Sequence, residues 1–209
     1  MTGYFVTGTG TNVGKTVLSA LLVNALDAAY WKPVQTGASE GTDRESVRAW
    51  SEATEDRLPL ERYRFDPPVS PHMASREAGV RISLDAFEFP AAPADREWIV
   101  EGAGGVMVPL NESDLMRDLM LRIGFPVIVA ARTALGTINH TLLTLAALRE
   151  ARVTICGVVL IGNENIENRR AIEHYGNIRV IGQIPLLKNI DRAALLDVYE
   201  KQFDHQAFA

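Results

Sequence analysis

The chain is short of cysteine, of positive charge and of long apolar runs, and each shortage closes off a class of function. Its one cysteine, Cys156, leaves no disulfide within the chain and suits a reducing compartment. Set in the apolar run from Val153 to Ile161, it reads as a small buried hydrophobe. Lys and Arg together number 21 against 26 Asp and Glu, a net charge of −5. That sign, with no cluster of basic residues, opposes a polyphosphate partner, so no nucleic acid is expected to bind. No apolar stretch approaches the ~20 residues that cross a bilayer, and no basic segment precedes the first strand. The expectation is a cytoplasmic protein with no membrane association.

What is present is ordinary for a globular protein: 47% hydrophobic and 22% charged residues over 209 positions. A chain this long hides roughly 70% of its unfolded surface on folding, and a single domain over 1–209 is expected. Short apolar or β-branched runs at Tyr4 to Thr7, Tyr30 to Val34, Trp98 to Val100, Pro126 to Ala130, Gly157 to Ile161 and Arg179 to Ile184 read as strands. Between them, segments of helical period run from Lys15 to Ala28, Arg44 to Ala53, Asp114 to Ile123, Ile138 to Ala151, Ile166 to Gly176 and Arg192 to Phe203. The alternation predicts an α/β fold with a mostly parallel central sheet and helices on both faces. Several of the strands are unbroken apolar runs, as expected of strands covered on both faces. Ligands of such sheets bind at the carboxyl ends of the strands, so chemistry is sought just after each one.

After the first strand stands Gly8-Thr9-Gly10-Thr11-Asn12-Val13-Gly14-Lys15-Thr16, followed directly by an apolar helix. A strand, a glycine-rich turn and a helix N-terminus aim several backbone N–H groups into one concavity, where the helix dipole favours an anion. Lys15 would reach the β- and γ-phosphates of a nucleotide, and Thr16 would offer its hydroxyl to Mg2+. The general signature puts its first glycine where Thr9 stands, with Gly8 and Gly10 on either side. Glycines serving a turn alone would not call for Lys-Thr at the start of a helix, so the fold expected is that of the P-loop NTPases.

Two more segments follow strands. In Lys32-Pro33-Val34-Gln35-Thr36-Gly37 a lysine leaves a buried strand level with the phosphate loop, where it must meet an anion or snorkel to the surface. In Trp98-Ile99-Val100-Glu101-Gly102-Ala103-Gly104-Gly105 a hydrophobic strand ends on a carboxylate, the place of the acidic Mg2+ ligand beside a phosphate loop. The small residues after it let backbone approach a ligand.

In order, type and spacing these three segments resemble the dethiobiotin synthase family, whose phosphate loop is one residue longer than usual. Its Lys-Pro-Val-x-Ser/Thr-Gly and Glu-Gly-Ala-Gly-Gly segments match Lys32 to Gly37 and Glu101 to Gly105. Further likeness lies at Ser70-Pro71-His72, Gly136 to His140, Gly162-Asn163-Glu164 and Ile184 to Leu187, so that it spans Gly3 to about Leu187. The resemblance implies ATP-dependent carboxylation of 7,8-diaminopelargonate with CO2 or bicarbonate. A carbamate and then a carbamic-phosphoric anhydride would precede ring closure to dethiobiotin, releasing ADP and phosphate in a step of biotin biosynthesis.

It implies too that ATP is held by Asn12, Val13, Gly14, Lys15, Thr16 and Val17, with Gly102, Ala103 and Gly104 across from them. Thr16, Asp43 and Glu101 would bind Mg2+, with Glu45 the competing carboxylate for the middle ligand. Lys32, Lys15 and Thr11 would act on the reacting groups, and Lys32 and Thr36 would bind substrate. Asn163 would read the adenine edge beside backbone of Pro185, Leu186 and Leu187. Gly136, Thr137 and Asn139 would meet the partner's substrate across a homodimer interface, the helix they open offering N–H groups to a carboxylate. Asn12 stands where some members carry an acid. His72 and His140 read as structural hydrogen-bonders, and neither is needed for the chemistry. The competing reading is a partitioning-type ATPase switch; its signature lysine would fall where this chain has Gly10, and a terminal basic amphipathic helix is missing.

Overall fold

A computed structural model of the chain describes residues 1–91 and 95–208. Along the chain run β1 (Gly3–Gly8), α1 (Lys15–Ala25), β2 (Ala29–Trp31), β3 (Val34–Gln35), α2 (Asp43–Ser51), β4 (Tyr63–Arg64), α3 (Pro71–Glu77) and β5 (Trp98–Glu101). There follow α4 (Met116–Ile123), β6 (Val127–Arg132), α5 (Thr137–Glu150), β7 (Ile155–Ile161), α6 (Ile166–Gly176), β8 (Val180–Ile184) and α7 (Arg192–Gln202). Six strands make one sheet in the order β2-β5-β1-β6-β7-β8, every pairing parallel.

Because side chains alternate across a strand, neighbouring residues feed two separate cores. Phe5, Trp31, Val100, Val129 and Leu160 face one side, where α4, α5 and α6 cover them with Leu119, Leu145 and Ile172. Val6, Tyr30, Ile99, Ala130 and Val159 face the other, under Leu18, Leu21 and Leu22 of α1 and Leu195 of α7. Each of those fully buried leucines contributes roughly 1.5–3 kcal/mol. The expected α/β architecture, with a parallel sheet and helices on both faces, is therefore what forms.

Two expectations need correction. The run from Tyr30 to Val34 is not one strand: β2 stops at Trp31, and Val34 and Gln35 pair instead with Tyr63 and Arg64 in a separate two-stranded ribbon. Pro33 has no N–H to continue a ladder, while its carbonyl accepts from Arg62 N and Tyr63 N at 3.0 Å each. The first helix ends at Ala25 rather than Ala28. Asp27 takes a positive φ of 50°, and the guanidinium of Arg57 donates to the freed carbonyls of Val23 and Ala28. The α3 turn went unseen because Pro71 and Ser70 signal a loop; here Pro71 takes the first helical position, where a missing N–H costs nothing.

Candidate active site

The register of the sheet assembles the site. β1 lies beside β5 with Val6 opposite Glu101, and β2 lies on the far side of β5 with Trp31 opposite Val100. Lys32, one residue beyond β2, is thereby level with Glu101, and both stand next to the loop that follows β1. Tyr30 and Ile99 face α1, so the period of two turns Lys32 and Glu101 toward that helix as well. At the start of α1, Gly14 holds φ +100° and ψ 20°, a backbone shape that puts Lys15 and Thr16 at the helix mouth. A Cβ on Gly14 would stand 2.7 Å from Ile161 Cδ1. Gly14→Ala should thus cost roughly 1–3 kcal/mol of stability and weaken nucleotide binding, read by a thermal melt and an ATP titration.

Lys32 and Glu101 are nearly solvent-free, at 5% and 0% exposure. Lys32 Nζ lies 3.0 Å from Glu101 Oε1 and also pairs with Asp43 Oδ2. Burial alone would push the Lys32 ammonium down, but the two facing carboxylates outweigh it and hold it above the usual lysine range. Burial opposes ionisation of Asp43 likewise, and the Lys32 charge with hydrogen bonds from Lys32 and Thr16 brings it below the usual carboxylate range. Lys15 stands differently: its Nζ donates to Gly10 O at 2.8 Å, and burial, countered by Glu101, lowers it to about 8. A phosphate group at the mouth of α1 would favour its charged form.

Asp43, not Glu45, turns inward. Glu45 closes a capping box with Thr42, its Oε2 accepting from Thr42 N at 2.8 Å while its own N–H donates to Thr42 Oγ1 at 3.1 Å. That leaves Asp43 as the first residue of α2. Its N–H donates to Gln35 Oε1 at 3.1 Å, and its Oδ1 lies 2.7 Å from Thr16 Oγ1. Thr16 Oγ1 is also 3.1 Å from Glu101 Oε1. One hydroxyl proton cannot serve two carboxylates, so three hard oxygens converge with a proton too few. Among the described residues no three of His, Cys, Asp and Glu gather to hold a metal. Two carboxylates and a hydroxyl nonetheless suit Mg2+, which binds through one or two carboxylates and keeps several waters.

A cavity of about 730 Å³ opens over these groups and is lined by Thr11, Asn12, Gly14, Lys15, Thr16 and Val17, by Lys32, Thr36 and Gly37, and by Asp43, Glu101, Ala103 and Gly104. Val13 is buried beneath the loop, and Gly102 packs on Phe5. Asn12 takes φ 55°, and Arg132 at the end of β6 grips its carbonyl through Nε at 2.9 Å and through Nη2. Asn163, Pro185, Leu186 and Leu187 lie outside this cavity, exposed or half-exposed just after β7 and β8. They share its edge of the sheet: Gly14 packs on Ile161, and Gly162 N donates to Ile184 O at 2.9 Å. Gly136, Thr137 and Asn139 open α5 at the same edge and line no part of the cavity. His72 Nδ1 lies 3.0 Å from Oγ of Ser70, which lines the cavity, while His72 itself does not.

Three residues of the site escaped the sequence reading. Ser19 Oγ and Tyr30 Oη donate to Glu101 Oε2 at 2.8 and 3.1 Å, and Gln35 braces the start of α2. Spacing relates two of them to the site, Ser19 following Lys15 by one helical turn and Tyr30 preceding Lys32 by one strand period, but it assigns neither a role without the register of β2 on β5.

An AAA-domain family model matches residues 2–194. An ATP-dependent dethiobiotin synthetase of Paramagnetospirillum magneticum is 49% identical over 195 residues, 93% of each chain. One from Rhodopseudomonas palustris is 44% identical over 97% of this chain and 96% of its own, and one from Brucella ovis 43% over 98% and 95%. Among solved structures, a ParA family ATPase from Chlorobium tepidum superposes with TM-score 0.52 at 11% identity, covering 96% of this chain and 93% of that one. A nucleotide-binding protein in complex with ADP from Archaeoglobus fulgidus gives 0.51 at 12%, covering 94% and 88%. At such identities the structures speak for the P-loop NTPase-like fold alone.

Proposed function

Because the chain belongs to the AAA-domain family and, within it, to the ATP-dependent dethiobiotin synthetases, we propose that its whole length acts as one catalytic domain closing 7,8-diaminopelargonate and CO2 into the cyclic urea of dethiobiotin. It is an ATP-dependent ligase with a role in biotin biosynthesis. The observation that carries the finer reading is the convergence of Lys15, Lys32, Thr16, Asp43 and Glu101 on one cavity at the mouth of α1.

One amine and CO2 first form a carbamate, a poor electrophile while its oxygen remains an anion. Attack of that oxygen on the γ-phosphorus of ATP expels ADP and makes a mixed carbamic-phosphoric anhydride. The second amine then attacks the carbonyl carbon, phosphate leaves with the oxygen, and a proton departs from nitrogen. Lys15, freed from Gly10 O, balances charge on the γ-phosphoryl group, and Thr11 donates a hydrogen bond to it. Lys32 stands between the carbamate and phosphoryl oxygens and orients both. Thr36, on the loop after β3, hydrogen-bonds the substrate. Thr16, Asp43 and Glu101 would hold Mg2+, which would neutralise charge on the β- and γ-phosphates. These effects are positional and electrostatic, and no covalent enzyme intermediate is needed.

Asn163 and the backbone of Pro185 to Leu187 are proposed to take the adenine along the exposed edge beside α1. A homodimer is proposed in which Gly136, Thr137 and Asn139 reach the partner's substrate; Leu135 and Leu143, both well exposed, flank them and would be covered. No helix among the described residues is long and apolar enough to cross a membrane, and a cytoplasmic location goes with the proposal. Thr36→Ala should raise KM for the diamine several-fold with kcat little changed, since it removes binding shared by ground and transition states.

Release of ADP, measured with diamine and bicarbonate each omitted in turn, tests the reaction. Turnover needing both is expected. Turnover indifferent to the diamine would return the chain to the ATPase-switch reading.

A further inference from the structure

Glu101 is the fully buried carboxylate of the site, and its two oxygens have different company. Oε1 faces the cavity, with Lys32 Nζ at 3.0 Å and Thr16 Oγ1 at 3.1 Å. Oε2 faces inward and accepts from Ser19 Oγ of α1 at 2.8 Å and from Tyr30 Oη of β2 at 3.1 Å. A carboxylate offers about four acceptor directions; both on Oε2 are taken, while Oε1 has Lys32 and only a share of the Thr16 hydroxyl, which is nearer Asp43 at 2.7 Å. Packing does not require either hydroxyl: alanine at 19 and phenylalanine at 30 would fill the same apolar surroundings, and both positions are completely buried. Two neutral donors from different elements meet on one oxygen and leave the other to charged or exchangeable partners.

We propose that Ser19 and Tyr30 are positioning residues that hold Glu101 by Oε2, so that it meets a divalent cation through Oε1 alone. This rests on the reading of Glu101 as a ligand for Mg2+. A carboxylate kept to one oxygen suits a small ion of near-octahedral geometry that retains water, whereas larger ions such as Ca2+ take carboxylates through one oxygen or both. The brace therefore sets metal preference as well as affinity. Losing either hydroxyl frees Oε2 to swing toward the cavity.

The test is metal binding, not turnover. Mn2+, as a probe for Mg2+, is titrated by electron paramagnetic resonance into protein saturated with a non-hydrolysable ATP analogue, and Ca2+ is measured by competition. Tyr30→Phe and Ser19→Ala should each weaken Mn2+ by roughly tenfold, as removal of partners behind a metal ligand does, while Ca2+ affinity changes less and the Mn2+ over Ca2+ preference narrows. Ser19→Thr, which keeps the hydroxyl, should keep the preference. Affinity for the analogue without metal should not move in any variant. Should Tyr30→Phe fail to fold, Ser19→Ala and Ser19→Thr carry the comparison. An unchanged preference in the hydroxyl-deleting variants, with Mn2+ binding lost in Glu101→Gln, overturns the brace and leaves the metal role of Glu101 standing. Unchanged Mn2+ binding in Glu101→Gln overturns both.

Discussion

Lys15→Ala is expected to lower turnover by about 10² to 10³ or more, the loss seen when one preorganised donor to a developing charge is removed. Its thermal stability should hold or rise slightly. The reason is the energetics of the site without nucleotide: burial brings Lys15 down to about 8, and its partner is a neutral carbonyl, Gly10 O. The fold does not depend on that charge, so a melt and a steady-state assay should separate cleanly. A variant that unfolds in step with its loss of activity would show that Lys15 holds the loop together instead of serving the phosphates.

Lys32→Ala should differ from Lys15→Ala in its stability. Turnover again falls by roughly 10² to 10³, with ATP affinity kept within a few-fold, but here stability falls too. Lys32 is the ammonium between Asp43 and Glu101, and Glu101 is 0% exposed. Removing one partner of a buried pair leaves an uncompensated charge, at a cost of about 3–5 kcal/mol. Mg2+ should therefore raise the Tm of Lys32→Ala more than that of the unaltered protein, because the cation supplies the charge that was lost. Near-normal kcat in this variant would put Lys32 away from the reacting oxygens.

The contrast between the two lysines also marks what the sequence could and could not say. The phosphate loop, Lys32 and Glu101 were legible because each stands at or just after the end of a strand, and the parallel sheet brings strand ends to one edge whatever the loops do. The choice between Asp43 and Glu45 was not legible, since it hangs on which carboxylate is spent on the Thr42 cap. Ser19 and Tyr30 were hidden for another reason: inside an apolar helix and an apolar strand a hydroxyl carries no signal until the register of β2 on β5 is known. The broken second strand was missed because periodicity reads Pro33 as part of an apolar run, while its absent N–H decides the ladder. Strand and helix ends elsewhere moved by a few residues, as ends do where caps outweigh propensity. Asn163, Pro185 to Leu187, and Gly136, Thr137 and Asn139 rest on family likeness. They lie at the carboxyl-end edge of the sheet and do not line the cavity at the mouth of α1.

In the proposed reaction the γ-phosphoryl group passes to a carbamate oxygen held between Lys15 and Lys32, and not to water. Single-turnover reaction with bicarbonate freshly labelled with oxygen-18, in unlabelled water, reads this directly by mass spectrometry of the phosphate released. Phosphate carrying one labelled oxygen, formed only when the diamine is present, is the expected result. Unlabelled phosphate, appearing at the same rate without the diamine, would mean that the cavity hydrolyses ATP and that the proposed chemistry does not take place there.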